Sequence, residues 1–225
     1  AYVAAISAPP CFTQTFADEL TTPGVRIPIT ADPDLWAEAV TLGRQVIWLH
    51  TYGAAYADPA DDRPVDDVRL PSSDAERPLA TRPITAMPAT INYDVATRTL
   101  MVGDGTWHPV PVEVWDYEIG GRNVIKSWFN YRKAEPGGRR SSPLDDLHVD
   151  SWPTQWTSEL TDLISVLIRL TRLEQRQYDL LKRILASPLL LMDDLARAGV
   201  VVPRAAGDRR PRMPVAPHDA QLDIG

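Results

Sequence analysis

Two spacings of apolar residues alternate along the chain, one of three to four positions and one of two. The first is typical of amphipathic helices and the second of half-buried strands. Helical spacing predicts helices over residues 2–20 with a break at Pro9-Pro10, over 33–52, from 157 through 170 and on towards 184, and over 188–197. Strict alternation predicts a β-hairpin from 90–95 and 99–103, a third strand at 106–110 and a fourth at 114–119. We therefore expect an α+β fold in which a small antiparallel sheet packs with several helices.

The sequence indicates where the helix predicted over 33–52 begins and ends. Asp32 can cap it and Pro33 suits its first turn. The predicted buried face consists of Trp36, Ala39, Val40, Gly43, Val46, Ile47 and His50. We interpret His50 as a helix C-terminal cap rather than a metal ligand. The long helix from 157 has an apolar face of its own, formed by Leu160, Leu163, Ile164, Leu167, Leu170 and Thr171.

Residues 54–88 show almost no apolar period, contain six prolines, and include a run of aspartates. The aspartates are Asp58, Asp61, Asp62, Asp66 and Asp67. The composition indicates a long acidic, proline-rich loop, partly extended. The expected organisation is a helical lead-in over 1–53, this loop over 54–88, an α+β region over 89–200, and a Pro/Arg-rich tail over 201–225.

One segment is strongly basic, although the chain as a whole has a net charge of −7. Between residues 122 and 140 there are six basic residues and one acid, Glu135, which gives +5 in nineteen residues. Arg122, Lys126, Asn130 and Lys133 follow helical spacing and predict one polar stripe, with Val124, Ile125, Trp128, Phe129 and Tyr131 on the other side. Lysine and arginine contact phosphates, while asparagine and arginine can pair with base edges. An ordinary surface helix packed through its tryptophan has the same periodicity, so spacing alone leaves both interpretations open.

Three blocks of the sequence resemble type ISP and related fused adenine-N6 methyltransferases. In the last of them, the matching residues are Tyr117, Ile119, Gly121, Val124, Ile125, Trp128, Phe129, Tyr131 and Arg132. Residues 1–20 with 25–28 resemble the passage from the methyltransferase into its recognition region, and residues 42–50 resemble the helix that follows it. The three blocks keep their order and spacing, and the resemblance as a whole covers about residues 2–198. One departure is Val25, which stands where that family usually has proline.

The resemblance implies a non-catalytic, DNA-binding target-recognition module. Its expected partners are double-stranded DNA and a methyltransferase domain of the same polypeptide. No cofactor is expected in this chain; the parent enzyme would use S-adenosylmethionine, and ATP and Mg²⁺ as well if it also translocates on and cleaves DNA in phage defence. The expected DNA-binding residues are Arg122, Asn123, Lys126, Asn130, Arg132, Lys133, Arg139, Arg140, Ser141 and Ser142. Trp128 and Phe129 are expected to pack beneath them.

Motifs for independent catalysis are missing from the sequence. It has no adenine-holding Asn/Asp-Pro-Pro-Tyr/Phe tetrad, no phosphate-binding Gly-Lys-Ser/Thr loop and no His-Glu-x-x-His motif. Asp145-Asp146 near His148 is interpreted as a loop and helix cap, and Asp193-Asp194 as a solvated pair on a helix. The single cysteine, Cys11, is interpreted as a small buried residue of a protein from a reducing cytosol. With no leader and no long apolar run, we expect a cytoplasmic location without a membrane segment.

Two further hypotheses remain. The chain could be a protein-interaction or scaffold domain that docks a partner through its Leu- and Trp-rich helices, or, less consistent with its motifs, an independent hydrolase. The start at Ala1 within a predicted helix suggests a boundary inside a longer polypeptide, although methionine removal before alanine would look the same.

Overall fold

The computed structural model describes residues 1–22, 26–134 and 149–201. The chain divides into two compact units, residues 1–189 and 190–225. The described part is mixed α+β, as predicted, with seven α-helices, a four-stranded antiparallel sheet and a separate two-stranded hairpin. No helix in the described ranges is long and apolar enough to cross a membrane.

The first unit is organised around one long helix, α6 (Thr154–Ala186). It contacts the helices α1 (Tyr2–Ser7), α2 (Pro10–Thr15), α3 (Pro33–His50) and α4 (Val112–Trp115), and the strand β1 (Leu79–Arg82). Every residue from Leu163 to Ile168 is buried. A helix covered on all sides must be apolar in its middle, which this sequence is. The predicted apolar face is confirmed from Leu160 to Leu170, while Thr171 is partly exposed.

The predicted start of α3 is confirmed, but its predicted buried face is partly wrong. Asp32 accepts hydrogen bonds from the backbone N–H groups of Asp34 and Leu35, at 2.8 and 3.1 Å. Leu42, Trp48 and Leu49 are buried in addition to Ala39, Gly43 and Val46. Trp36 instead stays 43 % exposed and stacks on Tyr2, with ring centroids 4.3 Å apart. The buried face is wider than periodicity indicated because both α1 and α6 pack against α3.

The sheet has the strand order β1-β4-β3-β2, with all neighbours antiparallel. Strands β2 (Ile91–Asp94), β3 (Thr99–Val102) and β4 (Gly105–His108) confirm the predicted hairpin and third strand. The predicted fourth strand is wrong over most of its length, since Val112–Trp115 form α4 and Glu118–Ile119 alone remain extended. The sheet contacts α6 through Trp107, whose indole Nε1 donates to Thr161 Oγ1 at 3.0 Å.

The segment over 54–88 has more structure than a loop. It contains a 3₁₀ turn (Pro59–Asp61) and the strand β1, which pairs with β4 and was not predicted. Val68 and Leu70 are buried in the core. Arg169 of α6 holds the segment down by donating to the carbonyl oxygens of Val68 and Arg69 at 3.1 and 2.9 Å. Residues 54–88, which we call the strap, are therefore held in place by specific contacts with the core.

The second unit contains α7 (Met192–Arg197). The predicted helix begins four residues later than Pro188 and ends before Gly199, whose φ is +81°. Asp193 and Asp194 lie on this helix, and Asp194 also caps it by accepting a hydrogen bond from the backbone N–H of Leu191 at 2.8 Å, a role that the sequence did not predict.

Candidate nucleic-acid interface

An exposed hairpin presents the start of the basic segment. Strands β5 (Glu118–Ile119) and β6 (Arg122–Asn123) pair antiparallel, with Ile119 opposite Arg122. The two residues that connect them, Gly120 and Gly121, have φ of +58° and +74°. Two successive positive φ angles are those of the tightest hairpin turn, which glycine adopts without strain. Arg122 is consequently held at the tip of a short, well-defined turn and is exposed.

Asn123 starts the helix α5 (Val124–Asn130) and is occupied by that role. Its side-chain Oδ1 accepts a hydrogen bond from the backbone N–H of Lys126 at 2.9 Å, while its Nδ2 donates to the carbonyl of Trp115. An asparagine at this position satisfies a helix N–H that has no partner within the helix. Although it was expected to contact DNA, Asn123 connects the hairpin, α4 and α5.

Lys126 lies on the exposed face of α5 over an aromatic pair. Its Nζ is 4.5 Å from the ring centroid of Trp115, and that ring stacks on Tyr93 with centroids 5.3 Å apart. The hydroxyl of Tyr93 donates to the carbonyl of Val110 at 2.7 Å, which fixes the ring on which Trp115 stacks. A cation over an aromatic face is attracted to the ring, so its side chain samples fewer positions than that of a lysine without such a contact. The ammonium group is thus positioned while it remains accessible to an anion.

Arg132 is enclosed by aromatic rings. Its guanidinium carbon lies 4.2 Å from the ring centroid of Trp128 and 5.6 Å from that of Trp156. Its Nη2 donates to Glu159 of α6 at 3.2 Å, and its Nη1 donates to the carbonyl of Trp128 at 3.2 Å. Arg132 therefore joins α5 to α6, and its charge is already balanced by Glu159.

The packing residues are partly those predicted. Ile125 and Phe129 are buried, and Trp128 is half-buried against Trp152. Tyr131 was expected on this side, but 79 % of it is exposed. The helix ends at Asn130, so Tyr131 lies past its last turn and its side chain is not part of the packed face of α5.

A hollow of about 420 Å³ lies between the hairpin and α5. It is lined by Ile119, Arg122, Val124, Ser127, Asn130 and Tyr131. Two of the expected base-reading residues, Arg122 and Asn130, are therefore brought together at one concave surface. Ile119 was among the residues that match the family but was not expected to contact DNA, and Ser127 was not predicted at all. The spacing of 127 from 130 and 131 would have placed Ser127 on the same helix face.

The remaining expected site residues are distributed as follows. Lys133 is half-exposed, one turn beyond Phe129, whose carbonyl accepts a hydrogen bond from its backbone N–H at 3.0 Å. Arg139, Arg140, Ser141 and Ser142 lie outside the described residues, as do Asp145, Asp146 and His148. No group of three or more histidine, cysteine, aspartate or glutamate side chains able to hold a metal ion occurs within the described ranges.

A family model matches most of the chain. The model of the type ISP C-terminal specificity domain matches residues 1–163. The chain belongs to this family. Searches of curated proteins and of solved structures returned no match. The hairpin, α5 and the hollow all lie inside the matched range, so they are parts of the specificity domain of a type ISP restriction–modification enzyme.

Proposed function

We propose that the surface formed by the β5–β6 hairpin and the exposed side of α5 binds duplex DNA and reads its sequence. The observation that carries this proposal is the hollow that Arg122 and Asn130 both line, since both residue types can form paired hydrogen bonds with base edges in the major groove. Lys126, on the same helix as Asn130, presents an ammonium group that is positioned over Trp115 and suited to a phosphate.

The structure changes which residues are proposed for contact. Arg122, Lys126, Asn130 and Lys133 are proposed to touch DNA, together with Arg139, Arg140, Ser141 and Ser142 from the segment outside the described residues. Asn123 and Arg132 are proposed to act indirectly, because their polar atoms hold α5 in place. Specificity domains select targets for another part of the enzyme, so we also propose that the parent methylates adenine with S-adenosylmethionine.

The scaffold hypothesis finds less support. It requires the leucines and tryptophans of the helices to be available to a partner. Leu160, Leu163, Leu167 and Leu170 are buried, as is Trp48. Trp152 packs edge to face on both Trp128 and Trp156. Most of the residues that this hypothesis uses are therefore occupied within the described part of the chain.

The proposal is tested by the salt dependence of binding between the 225-residue chain and a short duplex, measured by fluorescence anisotropy. If four or five of the proposed cations contact phosphates, log K should fall by about 3.5 to 4.5 per tenfold rise in salt. Lys126→Ala should lower that slope by about one for every duplex sequence. Asn130→Ala should instead reduce the preference for the cognate duplex by about 1–3 kcal/mol.

Lys182→Ala is a matched control. Lys182 also lies over an aromatic ring, 4.6 Å from the centroid of Tyr178, but it belongs to α6 and not to the proposed surface. Its loss should leave the slope unchanged. Binding that does not respond to salt, or an equal change in both lysine variants, would contradict the proposed surface.

A further inference from the structure

The hollow has an apolar side that the proposed hydrogen bonds to bases do not use. Ile119 is 58 % exposed at the hairpin tip, and the half-buried Val124 lies near it in the same lining. Ile119 is paired with Arg122 across the turn. Side chains of residues directly opposite in an antiparallel pair stand on the same face, with their Cβ atoms about 4.5–5.5 Å apart. An exposed isoleucine therefore stands beside the arginine.

An arginine beside two apolar side chains suits some parts of DNA better than others. A phosphate is strongly hydrated, and an isoleucine and a valine would remove water from it without offering a hydrogen bond. A base edge in the major groove can present both polar atoms and one apolar group, the C5-methyl of thymine. Guanine presents two acceptors, O6 and N7, that fit an arginine guanidinium.

We propose that Ile119 is a specificity-determining residue that contacts the C5-methyl group of a thymine in the target sequence. This inference rests on the proposed function, because it names what one side of the same hollow reads. Successive bases on a strand are about 3.4 Å apart, which is shorter than the separation expected between Ile119 and Arg122. The thymine should therefore lie within one or two base-pair steps of the base that Arg122 reads.

Replacing Ile119 should change DNA recognition without changing the stability of the fold. The side chain is mostly exposed and stands outside the buried core. Its backbone position is set by the glycine turn and by the pairing with Arg122, neither of which depends on the isoleucine side chain. Ile119→Ala should consequently fold with an unchanged melting temperature.

The experiment begins with the 225-residue chain and a library of random duplexes, from which bound sequences are selected and sequenced. Each thymine of the enriched sequence is then replaced singly by uracil, which removes the methyl group alone. For the wild-type chain, one replacement close to a guanine should weaken binding about threefold to fivefold, the value expected for one buried methyl group. For Ile119→Ala, the thymine and uracil duplexes should bind equally.

Val95→Ala is the control, since Val95 is 65 % exposed in the turn between β2 and β3 and does not line the hollow. It should retain the full response to uracil. The inference is overturned if replacing thymine by uracil never weakens binding, or if it weakens binding to Ile119→Ala as well. In either case, an enriched sequence would still support the proposed function. A library from which no sequence is enriched would overturn the proposed function, and this inference with it.

Discussion

Arg132 shows why residue type alone does not identify a DNA contact. It belongs to the basic segment, but its guanidinium lies against Trp128 and forms an ion pair with Glu159. Its Nε is buried without a hydrogen-bond partner among the described residues. Arginine fits such a position because its planar, weakly hydrated cation can stack on aromatic rings while it binds a carboxylate. The same properties would serve phosphate recognition, and sequence alone does not distinguish the two uses.

Arg132→Ala should therefore destabilise the fold. Loss of the stacking and of the pair with Glu159 should lower the free energy of unfolding by about 1–3 kcal/mol, since the pair is partly exposed and partly screened. Urea denaturation measures this change. Lys133→Ala, one residue along the chain, should alter stability by less than about 0.5 kcal/mol. Equal stability of the two variants would show that Arg132 does not join α5 to α6.

The element that carries the proposed interface is short and depends on its ends. The helix α5 has seven residues, fewer than an isolated helix needs in water. It is stabilised by Asn123 at its start, by buried Ile125 and Phe129 along its length, and by Arg132 just past its end. The hairpin is fixed to the same point, because the backbone N–H of Val124 donates to the carbonyl of Tyr117 at 3.0 Å. Hairpin and helix are therefore expected to move as one piece.

Asn123→Ala removes the cap of α5 and should lower the free energy of unfolding by about 1 kcal/mol. Asn123→Asp is a sharper comparison, because aspartate can still accept from the N–H of Lys126 but cannot donate to the carbonyl of Trp115. Its stability should lie between those of the wild type and the alanine variant. Amide hydrogen exchange should locate the loss of protection in α5. Unchanged exchange there would mean that the cap does not hold the helix.

At the scale of the whole molecule, ion pairs connect the acidic strap to α6. Arg172 donates to Asp74 at 2.7 and 3.0 Å and to Glu76 at 3.3 Å, and Arg69 pairs with Asp162. Arg172 of α6 therefore balances two of the strap's carboxylates, and Arg69 of the strap balances one carboxylate of α6. A net charge of −7 does not by itself keep the chain from DNA, since the distribution of charge and not its sum decides what a surface attracts.

Asp74 makes the stability of this layer depend on pH. The hydrogen bonds from Arg172 and from the backbone N–H of Glu76 lower the pKa of the Asp74 carboxyl from 3.8 to about 2. A pKa that is lower in the folded state contributes stability above the unfolded value, and that contribution is lost as pH falls towards the folded value. Asp74→Asn should therefore cost about 1 kcal/mol at pH 7, after allowance for solvent screening.

The difference between wild type and Asp74→Asn should narrow between pH 4 and pH 2. Thermal unfolding across this range measures it. Asp116→Asn, at an exposed aspartate outside these ion pairs, is the control and should change stability little at any pH. A gap between the Asp74 variant and wild type that stays constant with pH would show that ionisation of Asp74 does not stabilise the strap.

Local signals in the sequence were sufficient for several elements. The cap at Asp32, the paired glycines before Arg122, the alternation of β2 to β4 and the apolar face of α6 each lie within a few residues. Caps, turns and amphipathic periods act over such distances, so they can be read without knowledge of the fold. The resemblance to type ISP enzymes also followed from ordered local blocks, and the family match confirms it.

Other features were decided by residues that are distant in sequence. The strand β1 exists because β4, about 25 residues later, pairs with it, and its own sequence shows no apolar alternation. Residues 112–115 are helical because α4 packs on α6, although their pattern also suits a strand. Arg132 is enclosed because Trp156 and Glu159 approach it from α6, while Tyr131 is exposed because no element of the described residues packs on it. Periodicity within a short window contains no information about such partners, so the fold alone determined which basic residues remain at the surface and which hold the structure together.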